Sequence, residues 1–348
     1  MHEIDLDRRI KFIRSLTQTV DIHVHPLDVI GVCEHLGDEN TTEELVSTPA
    51  SLGISQKFNF NRLINSLTKL SFSIAPSIVK SSILEYYQSM NIGKILYEMN
   101  YAGIDRSFFV PIEPYVTNNE TLKVSELTSR ASSYASFDIH NPDATKNINL
   151  LFLNHSFVGI KLHPNLQGFM PQIEKNNDEI VRNNLINIYD FAEKRGIPLL
   201  FHTGKSYILK NPRSNLSKSV LIHRSSNNGV LENFFQHGEY IFRKFSFPVI
   251  FAHLGSYALT KLDIKNILKV ALNNNVFFDT AGINPKWITK LLNIEPKVKI
   301  LFGSDAYYYS QHHSVISVFD AIQSSELPKR YKIEVIRNTF GNYAKLIF

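Results

Sequence analysis

Residues 19–26 read TVDIHVHP, with β-branched and polar side chains taking turns along the run. A strand's period of two predicts Asp21, His23 and His25 on one face and Val20, Ile22 and Val24 on the other. Two imidazoles then project side by side, an arrangement that suits a divalent metal, whose nitrogen ligands lie at about 2.0–2.1 Å when the metal is zinc. A pair of satisfied core histidines produces the same pattern, so the run has to be weighed with the rest of the chain.

Later apolar runs end in the same residue types: LLFH at His202, VIFAH at His253 and ILFGSD at Asp305. Barrel enzymes carry their working groups at the carboxyl ends of strands, so these five side chains are expected to converge on one mouth as a metal site. Eight short β-rich runs alternate with helical stretches, at 19–25, 106–111, 134–139, 158–163, 198–203, 248–254, 275–280 and 299–304. Alternation of this kind predicts an α/β fold, a (β/α)8 TIM barrel. Segments 185–194 and 257–275 carry apolar residues at helical spacing and read as outer-ring helices. Residues 26–100 form the longest inter-strand segment and read as a helical lid insertion after the first strand, within a single domain spanning 1–348.

The chain has 348 residues, 43% hydrophobic and 20% charged, with a formal net charge of +5. That charge is mild and shows no basic block, so no nucleic-acid partner is expected. No apolar run reaches the ~18–20 residues of a membrane span, and the amino terminus lacks a signal-like stretch, so no membrane partner and a cytoplasmic location are expected. Cys33 is the sole cysteine, which excludes an intramolecular disulfide and a cysteine-rich zinc site. Any metal must therefore be held by histidine and carboxylate. From Thr203 to Leu231 there are five basic residues, Lys205, Lys210, Arg213, Lys218 and Arg224, and no acidic one. Because the segment leaves the pocket at His202, Lys205 is expected beside a small anionic substrate. A solvated loop whose charges answer distant acids is the competing reading.

The runs DIHVHP, GIKLHP, FHTG, FAHLGS and LFGSD, with the terminal RNTFGNYAKLIF, together resemble the amidohydrolase superfamily. The resemblance is greatest to its branch of small decarboxylases, hydrolases and hydratases related to aminocarboxymuconate-semialdehyde decarboxylase. It implies a metal-dependent enzyme with one or two divalent ions, zinc first, and His23, His25 and His202 as ligands. Asp305 becomes ligand or base, and His253 either polarises the substrate or binds a second ion. Lys161 has three open readings: a carboxylated bridge between ions, an ammonium holding a substrate carboxylate, or a partner for an acid. His163, two positions on, faces the same way as a substrate-binding candidate. The reaction implied is hydrolysis of an amide, ester or lactone, with nonoxidative decarboxylation as the alternative. A barrel that binds metal without catalysis, and assembly into a homo-oligomer, stay open. Asp279 is read either as a hydrogen-bond partner of a ligand histidine or as a helix cap, and His140 as lining the mouth or as an exposed loop residue. His312 and His313, which have no supporting pattern, are assigned to the surface or to loops.

Overall fold

The computed structural model describes residues 3–26, 92–204, 206–208, 224–256, 261–306 and 308–348. Eight strands form one sheet: β1 Val20–Val24, β2 Arg106–Phe109, β3 Ala131–Ala135, β4 Phe157–Leu162, β5 Leu199–Phe201, β6 Val249–Phe251, β7 Val276–Asp279 and β8 Ile300–Leu301. Their spatial order is their chain order, and each neighbouring pair runs parallel. Backbone hydrogen bonds close the sheet into a barrel, from Ile22 N to Phe302 O (3.0 Å), Asp305 N to His23 O (3.0 Å) and His25 N to Ala306 O (2.9 Å). The architecture is a (β/α)8 TIM barrel.

Helices fill the gaps between strands. Glu179–Arg195, before β5, starts where the Asp178 side chain accepts from Ile180 N and stops at Gly196, whose φ of 66° suits a residue without a Cβ. Its apolar face, including Leu185, Ile188 and Ala192, is buried against the sheet. Lys261–Ala271 precedes β7 and lies within the helix read at 257–275. Between β5 and β6 the described residues hold short antiparallel pairs instead, Ser206–Ile208 with Arg224–Ser226 and Phe235–Gln236 with Glu239–Tyr240. At the amino-terminal end of the barrel, Phe108 and Tyr134 meet the ring of Phe348, and Ala344 joins the interior apolar cluster. The terminal run thus plugs the floor. No helix among the described residues is long and apolar enough to cross a membrane.

Three sequence expectations need comment. The 26–100 lid lies, but for Pro26 and the helix Ile92–Tyr101 with its flank, outside the described residues. The third strand starts at Ala131, ahead of the expected 134, because Ala131, Ser132 and Ser133 are too small and polar to announce a strand. The simple alternation along 19–26 is corrected. The register shifts between Asp21 and Val24, the signature of a β-bulge. Ile22 packs inside with Leu200, Ile250, Phe277 and Leu301, whereas Val24 packs outside with Ile95 and Val124. Asp21 is turned away from the histidines, toward Ser304 and Gln311.

Candidate metal and active site

The bulge places Ile22 and His23 in succession toward the interior, which brings His23 to the mouth beside groups from β4, β7 and the chain after β8. The ligand atoms of His23, His25 and Asp305 all lie within 4.8 Å of one another, and all three residues are buried. His25 Nε2 is 3.3 Å from Asp305 Oδ1, and His23 Nε2 is 3.9 Å from the same oxygen. His23 Nδ1 donates to Asp279 Oδ2 at 2.8 Å, which leaves the Nε2 lone pair facing the group. Of the two jobs read for Asp279, this bond shows the first. The other Asp279 oxygen accepts from His253 N and Ala281 N.

His202 stands outside that three-residue group and belongs to a second one. Its Nδ1 is 3.1 Å from His253 Nε2, and its ring stacks on His163 with centroids 3.8 Å apart. His253 Nδ1 donates to Ala281 O at 2.8 Å, so its Nε2 carries the lone pair. The His23 and His253 rings lie 5.5 Å apart, so the two groups are neighbours. His163 Nδ1 accepts from Leu166 N at 3.1 Å as the cap of the short helix Pro164–Gln167, which assigns the ring proton to Nε2.

Lys161 is fully buried with Nζ 3.3 Å from His23 Nε2. Burial pulls its ammonium down to about 8 against the upward pull of Asp279 and Asp305. Burial also holds His23, His163 and His202 well below the usual imidazole range. Neutral imidazole is the form that binds a metal. Burial works against the charge on Asp305, yet the hydrogen bond from His25 leads the interactions that offset it and keep the carboxyl below its ordinary range. It is an ionised carboxylate, the form that can bind a cation.

Backbone strain marks the same mouth. His253, Leu254 and Asp305 adopt φ of 56°, 50° and 61°, a region that non-glycine residues seldom occupy. Such conformations persist where neighbouring contacts hold them, and they cluster at functional sites. Gly282 (φ 58°) lies against the Asp305 carboxylate, where a Cβ would stand 2.6 Å from Oδ2. Tyr308 walls the mouth, its ring 5.5 Å from that of His25.

Lys205, Lys210, Arg213 and Lys218 lie outside the described residues. His140 is half exposed and donates from Nε2 to Gln167 O, so it is a loop residue. His312 is corrected from surface to buried, packed with its ring 4.3 Å from that of Tyr101. Gly282, Ser304 and Gln311 were missed because none is a ligand type, and their partners are distant in sequence.

A divalent metal fits the residues present. The first group offers two imidazole nitrogens and a carboxylate oxygen, all buried, and His25 Nδ1 is a buried atom without a hydrogen-bond partner among the described residues.

No protein-family model matches the sequence, and no curated protein is similar to it. Solved structures are similar in fold. A crystal structure described as amidohydrolase II superposes with a TM-score of 0.52 at 15% identity, covering 95% of this chain and 99% of that one. A uronate isomerase from Bacillus halodurans gives 0.52 at 11% identity, covering 99% and 96%. One from Thermotoga maritima gives 0.50 at 13%, covering 100% and 98%. Over nearly the whole of each chain, this chain shares the closed parallel barrel fold of these structures.

Proposed function

We propose that the chain is a metal-dependent amidohydrolase-type hydrolase acting on a small anionic amide, ester or lactone. The observation that carries this reading is the buried His23–His25–Asp305 group at the mouth of an amidohydrolase-like barrel. His23, His25 and Asp305 would hold a divalent ion, zinc by their nitrogen and oxygen donors, with His202 and His253 beside it as further ligands or as substrate contacts. Such an ion supplies Lewis acidity toward a water or a substrate oxygen.

The protein's own part is proton handling and orientation. Asp305, kept ionised, accepts a proton from the attacking water on its carboxylate as that water's oxygen adds to the carbonyl carbon. It returns the proton to the leaving nitrogen or oxygen when the bond to carbon breaks. With its proton on Nδ1, His253 accepts from His202 Nδ1 at Nε2, while Asp279 fixes the ring of His23 and the backbone of His253. His163 offers an Nε2–H donor beside His202. The anionic preference rests on the 203–231 run. Its ends return to one another near the mouth, where Ser206–Ile208 pairs with Arg224–Ser226 and Asn165 binds both Gly204 O and Gly229 N.

The test is a chelator-stripped protein reloaded with zinc and offered matched carboxylated and neutral esters, amides and lactones, with metal content measured per chain. Metal-dependent hydrolysis that favours the carboxylated member supports the proposal, and its loss of preference on Lys205→Ala locates the anion. Release of carbon dioxide from unsaturated or aromatic acids, with no hydrolysis, would replace it with the decarboxylase reading.

A further inference from the structure

Asp21 has no part in the chemistry above, yet its carboxylate is fully buried and accepts four hydrogen bonds. Oδ1 takes His23 N at 3.2 Å and Ser304 N at 3.0 Å, and Oδ2 takes Ser304 Oγ at 2.6 Å and Gln311 Nε2 at 3.0 Å. Every donor is His23 itself, the residue before Asp305, or a residue on the helix Gln311–Gln323 that follows. The location explains the pattern. Where β1 meets the chain after β8, backbone bonds run from Ile22 N to Phe302 O and then from Asp305 N to His23 O. Between those two bonds the amide of Ser304 makes no backbone–backbone bond among the described residues, and at the same residues the register of β1 on its other neighbour, β2, shifts. A buried amide needs an acceptor, and Asp21 Oδ1 takes that of Ser304 together with that of His23. Ser304 Oγ, donating to Asp21, in turn accepts from Ala306 N, so the bend that holds Asp305 at φ 61° is bound on both sides. Gln311, whose backbone N donates to Glu98 Oε2, ties the carboxylate to the helix Ile92–Tyr101 behind it.

We propose that Asp21 is a positioning residue: its Oδ1 replaces the missing rung of the barrel's closing seam and thereby sets His23 and Asp305 at the separation a shared metal ion requires. This rests on the metal reading of the site. The alternative is a buried carboxylate that matters to folding alone, or one that acts through its charge.

Three variants separate these. Asp21→Asn keeps an oxygen where Oδ1 lies, and the unpartnered Oε1 of Gln311 can turn to accept its amide. Asp21→Glu keeps the charge but moves the oxygens by one methylene. Asp21→Ala removes the acceptor. Each full-length chain is stripped of metal and titrated with cobalt(II), followed by visible absorption, with the metal-free melting temperature recorded alongside. The expected result is cobalt affinity lower by about 10–100-fold for Asp21→Ala, with a changed spectrum, as for other residues that orient ligands. Asp21→Glu falls in the same direction, and Asp21→Asn binds close to wild type. Should Asp21→Ala not fold, the Asn and Glu variants decide. Cobalt affinity and spectrum unchanged in all folded variants, or an Asn variant that fails to fold or binds worse than Glu, overturns the inference. A wild type that takes up no cobalt removes the metal reading and this inference with it, whereas a binding wild type with equally binding variants overturns this inference alone.

Discussion

Asp305 carries two demands at one residue, since its carboxylate must stay ionised in a buried site and its backbone must hold a left-handed φ. Replacing it with asparagine would remove the proposed proton acceptor while keeping shape. Asp305→Asn is expected to lower kcat by about 100-fold or more with the circular dichroism spectrum unchanged; full retained turnover would take Asp305 out of the chemistry. Gly282 tests the same carboxylate from outside. A methyl group there meets Asp305 Oδ2 and, at 2.9 Å, the Tyr309 ring, and the φ of 58° disfavours any Cβ. Gly282→Ala is expected to displace the carboxylate and cost about tenfold or more in kcat, as small misplacements of catalytic groups do. A variant with wild-type kcat and metal affinity would show that the carboxylate has room to spare.

At the level of elements, the strands that end in histidine were legible because parallel barrel strands are apolar runs and their polar ends stand out, as at Phe201–His202 and Phe251–His253. The third strand was not, because Ala131–Ser133 carries no apolar signal. The β1 bulge was invisible for a deeper reason. An extra residue in one strand leaves the sequence alternation intact while changing which side chains face inward, so Asp21 read as a companion of His23 when it stands behind it. His312 was misplaced because histidine at a helix start usually faces water, and here Tyr101 covers it. Helix packing at the barrel floor supplies a further test. At Gly341, in the π-turn Asn338–Asn342, a Cβ would overlap Thr17 and the Gln18 carbonyl. Backbone cannot yield as a flexible side chain can, so Gly341→Ala is expected to destabilise the fold by about 1–3 kcal/mol, read as a lower denaturation midpoint with metal binding unchanged in the folded fraction.

For the whole molecule, buried titrating groups set a dependence on pH whose sign can be worked out. The folded state lowers the proton affinity of His23, His163, His202, His253 and His313, and that of His312 to about 4, in each case through burial. The unfolded chain takes up those protons near pH 6.5, so stability is greatest above 6.5 and is lost as pH falls toward 4. Asp21, raised to about 6, Glu98, raised to about 7, and Asp279, also raised, act oppositely through burial: their contribution is present below about 4 and lost as pH rises through their folded-state values. Six imidazoles against three carboxyls give a metal-free melting temperature expected to fall between pH 7 and 5; a rise would mean that the carboxyls dominate. Asp21 and Ser304 are 283 positions apart, so their contact forms only when both extremes of the barrel have been brought together, a closure of high contact order. On the ribosome, a nascent chain that has not yet emerged through Asp305 has at most two members of the His23–His25–Asp305 group, so capture of the proposed metal by all three would wait until the last strand has emerged.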